Sequence, residues 1–242
     1  MKTPSAVLRS VSSGFTLLEL LVVIGLIAAL AYFLVGGLLG GGQTAGLQAS
    51  QATLANMISV ARMKASATGR KTRLLINNDA NAPERYLRFV VLQLARQAGP
   101  SPADWDTVTA VSLPEGVFVL PSSLTLAGGL VANAADWKRV SDPAVDLVSD
   151  LFNNQTLTAA VEGATVAQTW TGVAFTPNGT LATLGGSTPP KGFLVIALGI
   201  RRPPGSYLAG ESPVQLSNPA AVRGLLLSAY GVPALVNERS SF

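Results

Sequence analysis

The apolar pattern of the chain changes character twice. From Phe15 to Leu39 apolar residues fill 25 positions broken by a single charge, Glu19. A run of this kind has no polar face, and about 20 apolar residues cross a bilayer core, so the segment predicts a transmembrane helix. Beyond it the pattern becomes periodic. Leu47, Leu54, Ile58 and Ala61 fall near one helical face, while Gln48, Gln51 and Ser59 fall away from it. The helix is expected to end at Thr68–Gly69, with Gly69 as its C-terminal cap. A continuous helix from Phe15 to Thr68 would be about 80 Å long, its first half in the membrane and its second half packed under a globular head. Gly36-Gly37 and Gly40-Gly41-Gly42 interrupt it. They read as a flexible joint, as a small-residue packing face, or as a helix breaker that loosens part of the helix on assembly.

After Gly69 the period shortens to that of strands. Thr72–Ile76 and Tyr86–Gln93 are β-rich runs joined by the turn-like stretch Asn77–Pro83. Val108–Leu113 and Val117–Leu120 flank Pro114-Glu115-Gly116. Further strands are expected at Gly172–Thr176, Leu181–Leu184, Phe193–Ile200, Gly224–Ala229 and Pro233–Val236. Asn178-Gly179 is a strong hairpin signal between two of them. Asp142-Pro143 predicts the start of a short helix whose apolar face is Val145, Leu147, Val148, Leu151 and Phe152. Residues 122–141 and 153–168, rich in Ala, Gly, Ser and Thr, read as loops.

Composition narrows the chemistry. The 242 residues suffice for one sizeable core. Only 12% are charged, which agrees with a membrane segment. There is no cysteine and no histidine, which removes thiol catalysis, disulfides, the usual zinc ligands and any Ser-His-Asp triad. The net charge of +4 is mild and does not by itself indicate nucleic acid.

The order of features at the N-terminus is informative. Lys2 and Arg9 precede the apolar run, which predicts a cytoplasmic N-terminus. A secretory signal peptide carries its small-residue cleavage site after the apolar region. Here the small residue, Gly14, comes before it, so the apolar part is expected to stay in the protein. Glu19 then needs a reason, because a carboxylate inside a membrane helix is costly. It either reaches headgroups at the interface or meets a specific charge. Cleavage after Gly14 would expose an α-amino group on Phe15, and Glu19 of one subunit could pair with that amine of the next, fixing axial register.

The stretch from Gly14-Phe15-Thr16-Leu17-Leu18-Glu19 to Ile24 resembles the cleavage and methylation motif of type IV prepilins and type II secretion pseudopilins. That resemblance implies a membrane prepilin peptidase that cuts after Gly14 and methylates Phe15, and it assigns Glu19 to assembly. Weaker likenesses extend it. Val60–Ala65 followed by a strand pair, Val173–Gly179, and Val222–Val232 resemble the helix end, late strand and turn, and closing hairpin of the H-type minor pseudopilins and related minor pilins. Residues 95–165 resemble nothing in that family.

Two clusters of charged residues are candidate sites. Asp142, Asp146 and Asp150 recur every four residues on one predicted helical face. They suggest a solvated face more than a calcium site, which gathers its ligands from a tight loop; Asp104 and Asp106 around Trp105 are read in the same way. Arg62, Lys64, Arg70, Lys71 and Arg73 cluster near the helix end. Cations favour a helix C-terminus, and no aromatic platform is interleaved with them in the sequence, so DNA binding is not expected.

The expected architecture is α+β and pilin-like, a long N-terminal transmembrane helix packed on an antiparallel β-sheet head. It divides into a cleaved leader, 1–14, a membrane part, 15–39, a periplasmic part of the helix, 40–69, and a β-rich head, 70–242. The resemblance implies a minor pseudopilin, a structural subunit of a type II secretion pseudopilus. The alternative is a minor pilin of a type IV pilus acting in adhesion, motility or DNA uptake. Expected partners are prepilin peptidase, sister pseudopilins or pilins and the inner-membrane assembly platform. The protein is expected in the inner membrane, single-pass, with its head in the periplasm and assembling into a filament. No catalytic residue, metal or cofactor is expected.

Overall fold

The computed structural model describes residues 17–98, 104–125, 127–152, 156–161, 167–185 and 192–242, with the side chains of 29 and 31–43 excepted. The chain divides into two units, Met1–Gly42 and Gln43–Phe242. One helix, α1 (Leu17–Thr68), contributes to both. Its backbone stays helical through Gly36–Gly42. Among the described residues no helix is long and apolar enough to cross a membrane. The span expected over 15–39 lies partly outside them, at residues 15 and 16 and at the side chains of 29 and 31–39. The leader expected over 1–14 lies wholly outside.

The first unit is described from Leu17 onward. Its described side chains are exposed, including Leu20, Leu21, Ile24 and Ile27. This stretch buries no apolar stripe within the chain.

The second unit begins with the remainder of α1. Leu47, Leu54, Met57, Ile58, Ala61 and Ala65 recur at helical spacing and form a buried stripe. The helix stops at Thr68 because Gly69 takes the left-handed conformation (φ +63°) that a side chain resists. Thr72 then folds back to donate its hydroxyl to Ala61 O at 2.9 Å, fastening the first strand beneath the helix.

Eleven strands follow among the described residues: β1 (Thr72–Asn77), β2 (Phe89–Ala95), β3 (Trp105–Ser112), β4 (Val117–Val119), β5 (Thr156–Ala159), β6 (Gln168–Phe175), β7 (Leu181–Thr183), β8 (Gly192–Arg201), β9 (Val214–Leu216), β10 (Val222–Leu227) and β11 (Pro233–Val236). They form two sheets. The first has the order β3-β2-β1-β6-β5, with β7 also on β6; the second has the order β11-β10-β8-β4, with β9 also on β8. Every strand pairing is antiparallel. The expected α+β class with antiparallel sheets is the observed one.

Period-2 alternation sends one side of both sheets under α1. Leu74, Ile76, Val90, Leu92, Val173 and Phe175 of the first sheet meet Leu194, Ile196, Leu198, Leu225 and Leu227 of the second in one core with the helix stripe. The opposite side of the second sheet is covered too. Val195, Ala197, Val222 and Val236 pack with Leu120, Leu124, Leu130, Trp137, Leu147 and Phe242. Much of the stretch 95–165, which resembled nothing in the pilin family, therefore forms an irregular outer layer over β8 and β10. The outer side of the first sheet carries a smaller cluster of Leu75, Val91, Val161 and Trp170.

Several expectations are corrected. Asp142-Pro143 does not start an α-helix. The backbone makes a turn there, with Asp142 Oδ1 accepting from Ala144 N at 3.1 Å, and only Asp150–Phe152 is helical, as one 3₁₀ turn. Leu147, Val148, Leu151 and Phe152 are buried all the same, because a sheet face gathers apolar side chains from an irregular strap as well as from a helix. The region read as a loop over 153–168 contains β5, and β9 had no strand pattern. Tyr86 to Arg88 form a turn before β2. Leu87 has a left-handed backbone (φ +54°) there, held by hydrogen bonds from its N–H to Asn77 O and from Val119 N–H to its carbonyl.

Candidate functional site: the N-terminal segment

Gly14 and Phe15 lie outside the described residues. The third residue assigned to the segment, Glu19, stands in the first described turn of α1. An acidic group is electrostatically suited to that end of a helix. Glu19 is exposed, and so are the apolar side chains on both sides of it, with Leu17 at 83% and Leu18 at 73%. The described part of the segment is thus an apolar helix with one carboxylate near its start.

The head grips the other end of α1 through a residue that helical-wheel reasoning placed on the wrong side. Gln51 was expected away from the core and is buried. Its Nε2 donates to Gly224 O at 2.8 Å and to Val236 O at 2.9 Å, joining the helix to β10 and β11. The lack of a side chain at Gly224 lets Leu194 and Phe242 lie close to its backbone. A Cβ there would lie 2.4 Å from Leu194 O and 2.9 Å from the Phe242 ring. No sequence pattern distinguishes such a glutamine from a solvated one, since the two carbonyls that receive it come from residues more than 170 positions away.

The basic cluster near the helix end is dispersed by the fold. Arg73 points onto the outer face of the first sheet, where its guanidinium lies 4.1 Å from the Trp105 ring centroid and donates to Gln93 Oε1 at 2.8 Å. Burial lowers its pKa to about 10. Arg70 donates to Arg96 O, and Arg96 pairs with Asp106 at 2.8 Å. An aromatic ring does stand among these cations, but one cation already occupies a face of it.

The three aspartates do not converge. Asp142 caps its local turn. Asp146 pairs with Lys138 at 2.5 Å. Asp150 accepts from Arg139 Nη2 at 2.7 Å and from Phe193 N at 2.6 Å, tying the irregular layer to the start of β8. Among the described residues no group of three or more metal-ligating side chains is found.

Comparison with known families gives one match. Residues 9–31 fit the prokaryotic N-terminal methylation motif. The matched span contains Gly14, Phe15 and Glu19, and it supports a type IV prepilin-like chain. No curated protein and no solved structure matches the chain.

Proposed function

We propose that the protein is a minor pseudopilin of the H type, a structural subunit of a type II secretion pseudopilus and not a catalyst. A peptidase specific for prepilins would cut between Gly14 and Phe15 and methylate the new amine. Phe15–Leu39 would anchor the chain in the inner membrane, with the leader in the cytoplasm and the head in the periplasm. The observation that carries this reading is the methylation motif spanning Gly14 to Glu19 at the start of an apolar helix. A helix apolar around its whole circumference suits lipid or other apolar helices, not water. The head supports the reading as a compact module that uses half of α1 as its spine.

Intact-mass analysis of the protein extracted from membranes tests it. The expected mass lacks residues 1–14 and carries one methyl group on Phe15. A mature chain that keeps Met1 or Lys2 overturns the proposal. Substituting Gly14 by a bulky residue should abolish processing, whereas Gly14→Ala should slow it only in part.

A further inference from the structure

The hairpin between β6 and β7 has the expected Asn178-Gly179, but not the turn that pair usually makes. Leu87 is the only described non-glycine residue with a positive φ, so Asn178 has an ordinary backbone and the two-residue turn with two positive φ angles is excluded. Pro177, Asn178 and Gly179 form a three-residue loop instead, with Gly179 alone left-handed (φ +76°). Gly179 N–H donates to Thr176 O at 2.8 Å, and Thr176 N–H donates to Thr180 O at 2.9 Å. Asn178 is exposed at the tip. Gly179 is buried beneath α1, where an added Cβ would lie 3.3 Å from Arg62 Cγ and 3.4 Å from Ser66 Oγ.

An asparagine followed by glycine carries its own chemistry. The Gly179 nitrogen can attack the Asn178 side-chain carbonyl carbon, because no side chain at 179 obstructs the approach. A C–N bond forms, the amide C–NH₂ bond breaks, and ammonia leaves with the proton that the Gly179 nitrogen gives up. Water then opens the resulting succinimide at either carbonyl, giving aspartate or isoaspartate. Here the attacking nitrogen is the one held by Thr176 O. We propose that Asn178 is a deamidation site gated by this hairpin, so that conversion proceeds only from molecules in which the loop has opened. The same opening frees the Gly179 amide for hydrogen exchange, so one equilibrium governs both processes. The two products differ in consequence. Aspartate puts a carboxylate beside the glycine that Arg62 covers, whereas isoaspartate adds a backbone atom to the three-residue loop.

The test compares two rates in the full-length chain in detergent at mildly alkaline pH. Peptide mapping follows conversion at each asparagine, in the folded chain and in urea, while hydrogen exchange measures protection of the Gly179 amide. Asn178 should convert faster than the other asparagines in urea. In the folded chain it should slow by the factor by which the Gly179 amide is protected, tenfold for every 1.4 kcal/mol of opening free energy. Pro177→Ala loosens the loop and should raise both rates by a common factor. Equal conversion in folded and unfolded chains with the Gly179 amide still protected would overturn the proposal. So would a Pro177→Ala variant in which exchange rises and conversion does not.

Discussion

Leu20, Ile24 and Ile27 lie on the same helix as Leu47, Leu54 and Ile58 and are just as apolar. The first three are more than half exposed, and the second three are at most 3% exposed. The difference lies in what surrounds them in the sequence. Near Ile24 the apolar residues go around the whole helix, so no single protein face could cover them. Near Leu54 they form one stripe, and two sheets with matching alternation close over it. Apolar residues on a helix therefore specify burial, while their angular distribution specifies what buries them. The first stretch is suited to lipid and neighbouring helices, and the second to the chain's own strands.

The sharpest way to break this comparison is at Glu19. If sister helices cover the first stretch, the carboxylate loses water on assembly and depends on a charged partner. Glu19→Ala should then leave membrane level and cleavage unchanged. It should weaken crosslinking to sister subunits by two orders of magnitude or more, since removing one member of a buried ion pair costs about 3–5 kcal/mol. Normal crosslinking would assign Glu19 to the lipid headgroups. Next in size is a matched pair of truncations. Leu54→Ala should destabilise the head by about 2–5 kcal/mol in denaturant unfolding, and Leu21→Ala should leave the same transition in place. A comparable loss at both positions would erase the distinction between the two stretches.

Gln51 refines the second half of the comparison. Gln51→Leu keeps the bulk but strands the carbonyls of Gly224 and Val236, so a loss of about 1–3 kcal/mol is expected in spite of the gain in hydrophobicity. A more stable Gln51→Leu head would show that the stripe acts by apolar contact alone. The smallest effect is a pH dependence in the outer layer. Burial raises the Tyr86 phenol above its ordinary value of 10.0, against a smaller opposing effect of the Ser212 hydroxyl. A group with a raised folded pKa contributes stability that is complete below the unfolded value and is lost as pH rises through the folded one. The head should therefore weaken above pH 10, by at most about 1.4 kcal/mol per pH unit from this group. Tyr86→Phe should show a shallower decline in alkaline denaturation curves.

The legible parts of the fold were those with a local cause. The C-terminal end of α1 was readable from Gly69, and β1, β6, β8 and β10 from their apolar runs, because cap chemistry and side-chain alternation act within a few residues. The hairpin at Asn178-Gly179 was readable as a turn, but not its type, since Pro177 pre-sets the first loop residue and leaves only Gly179 left-handed. Strands β5 and β9 were missed because short segments gain their hydrogen bonds from a neighbour, β6 or β8, and not from their own pattern. At the candidate site, the methylation motif that contains Gly14, Phe15 and Glu19 was legible because it is written in contiguous residues.

By itself the sequence determined the character of the N-terminal segment, the extent of the amphipathic stripe, the antiparallel β composition of the head and the absence of thiol and imidazole chemistry. These follow from residue type and spacing, which need no distant partner. Only the tertiary structure decided that Gln51 points inward, that Arg73 leaves its cationic neighbours for Trp105, that Asp146 and Asp150 serve as ion-pair partners and that the mostly irregular stretch after β4 becomes a second layer over β8 and β10. Each of these depends on which carbonyl, ring or opposite charge the fold brings within reach. A polar side chain takes the partner that replaces its lost water, wherever in the chain that partner lies.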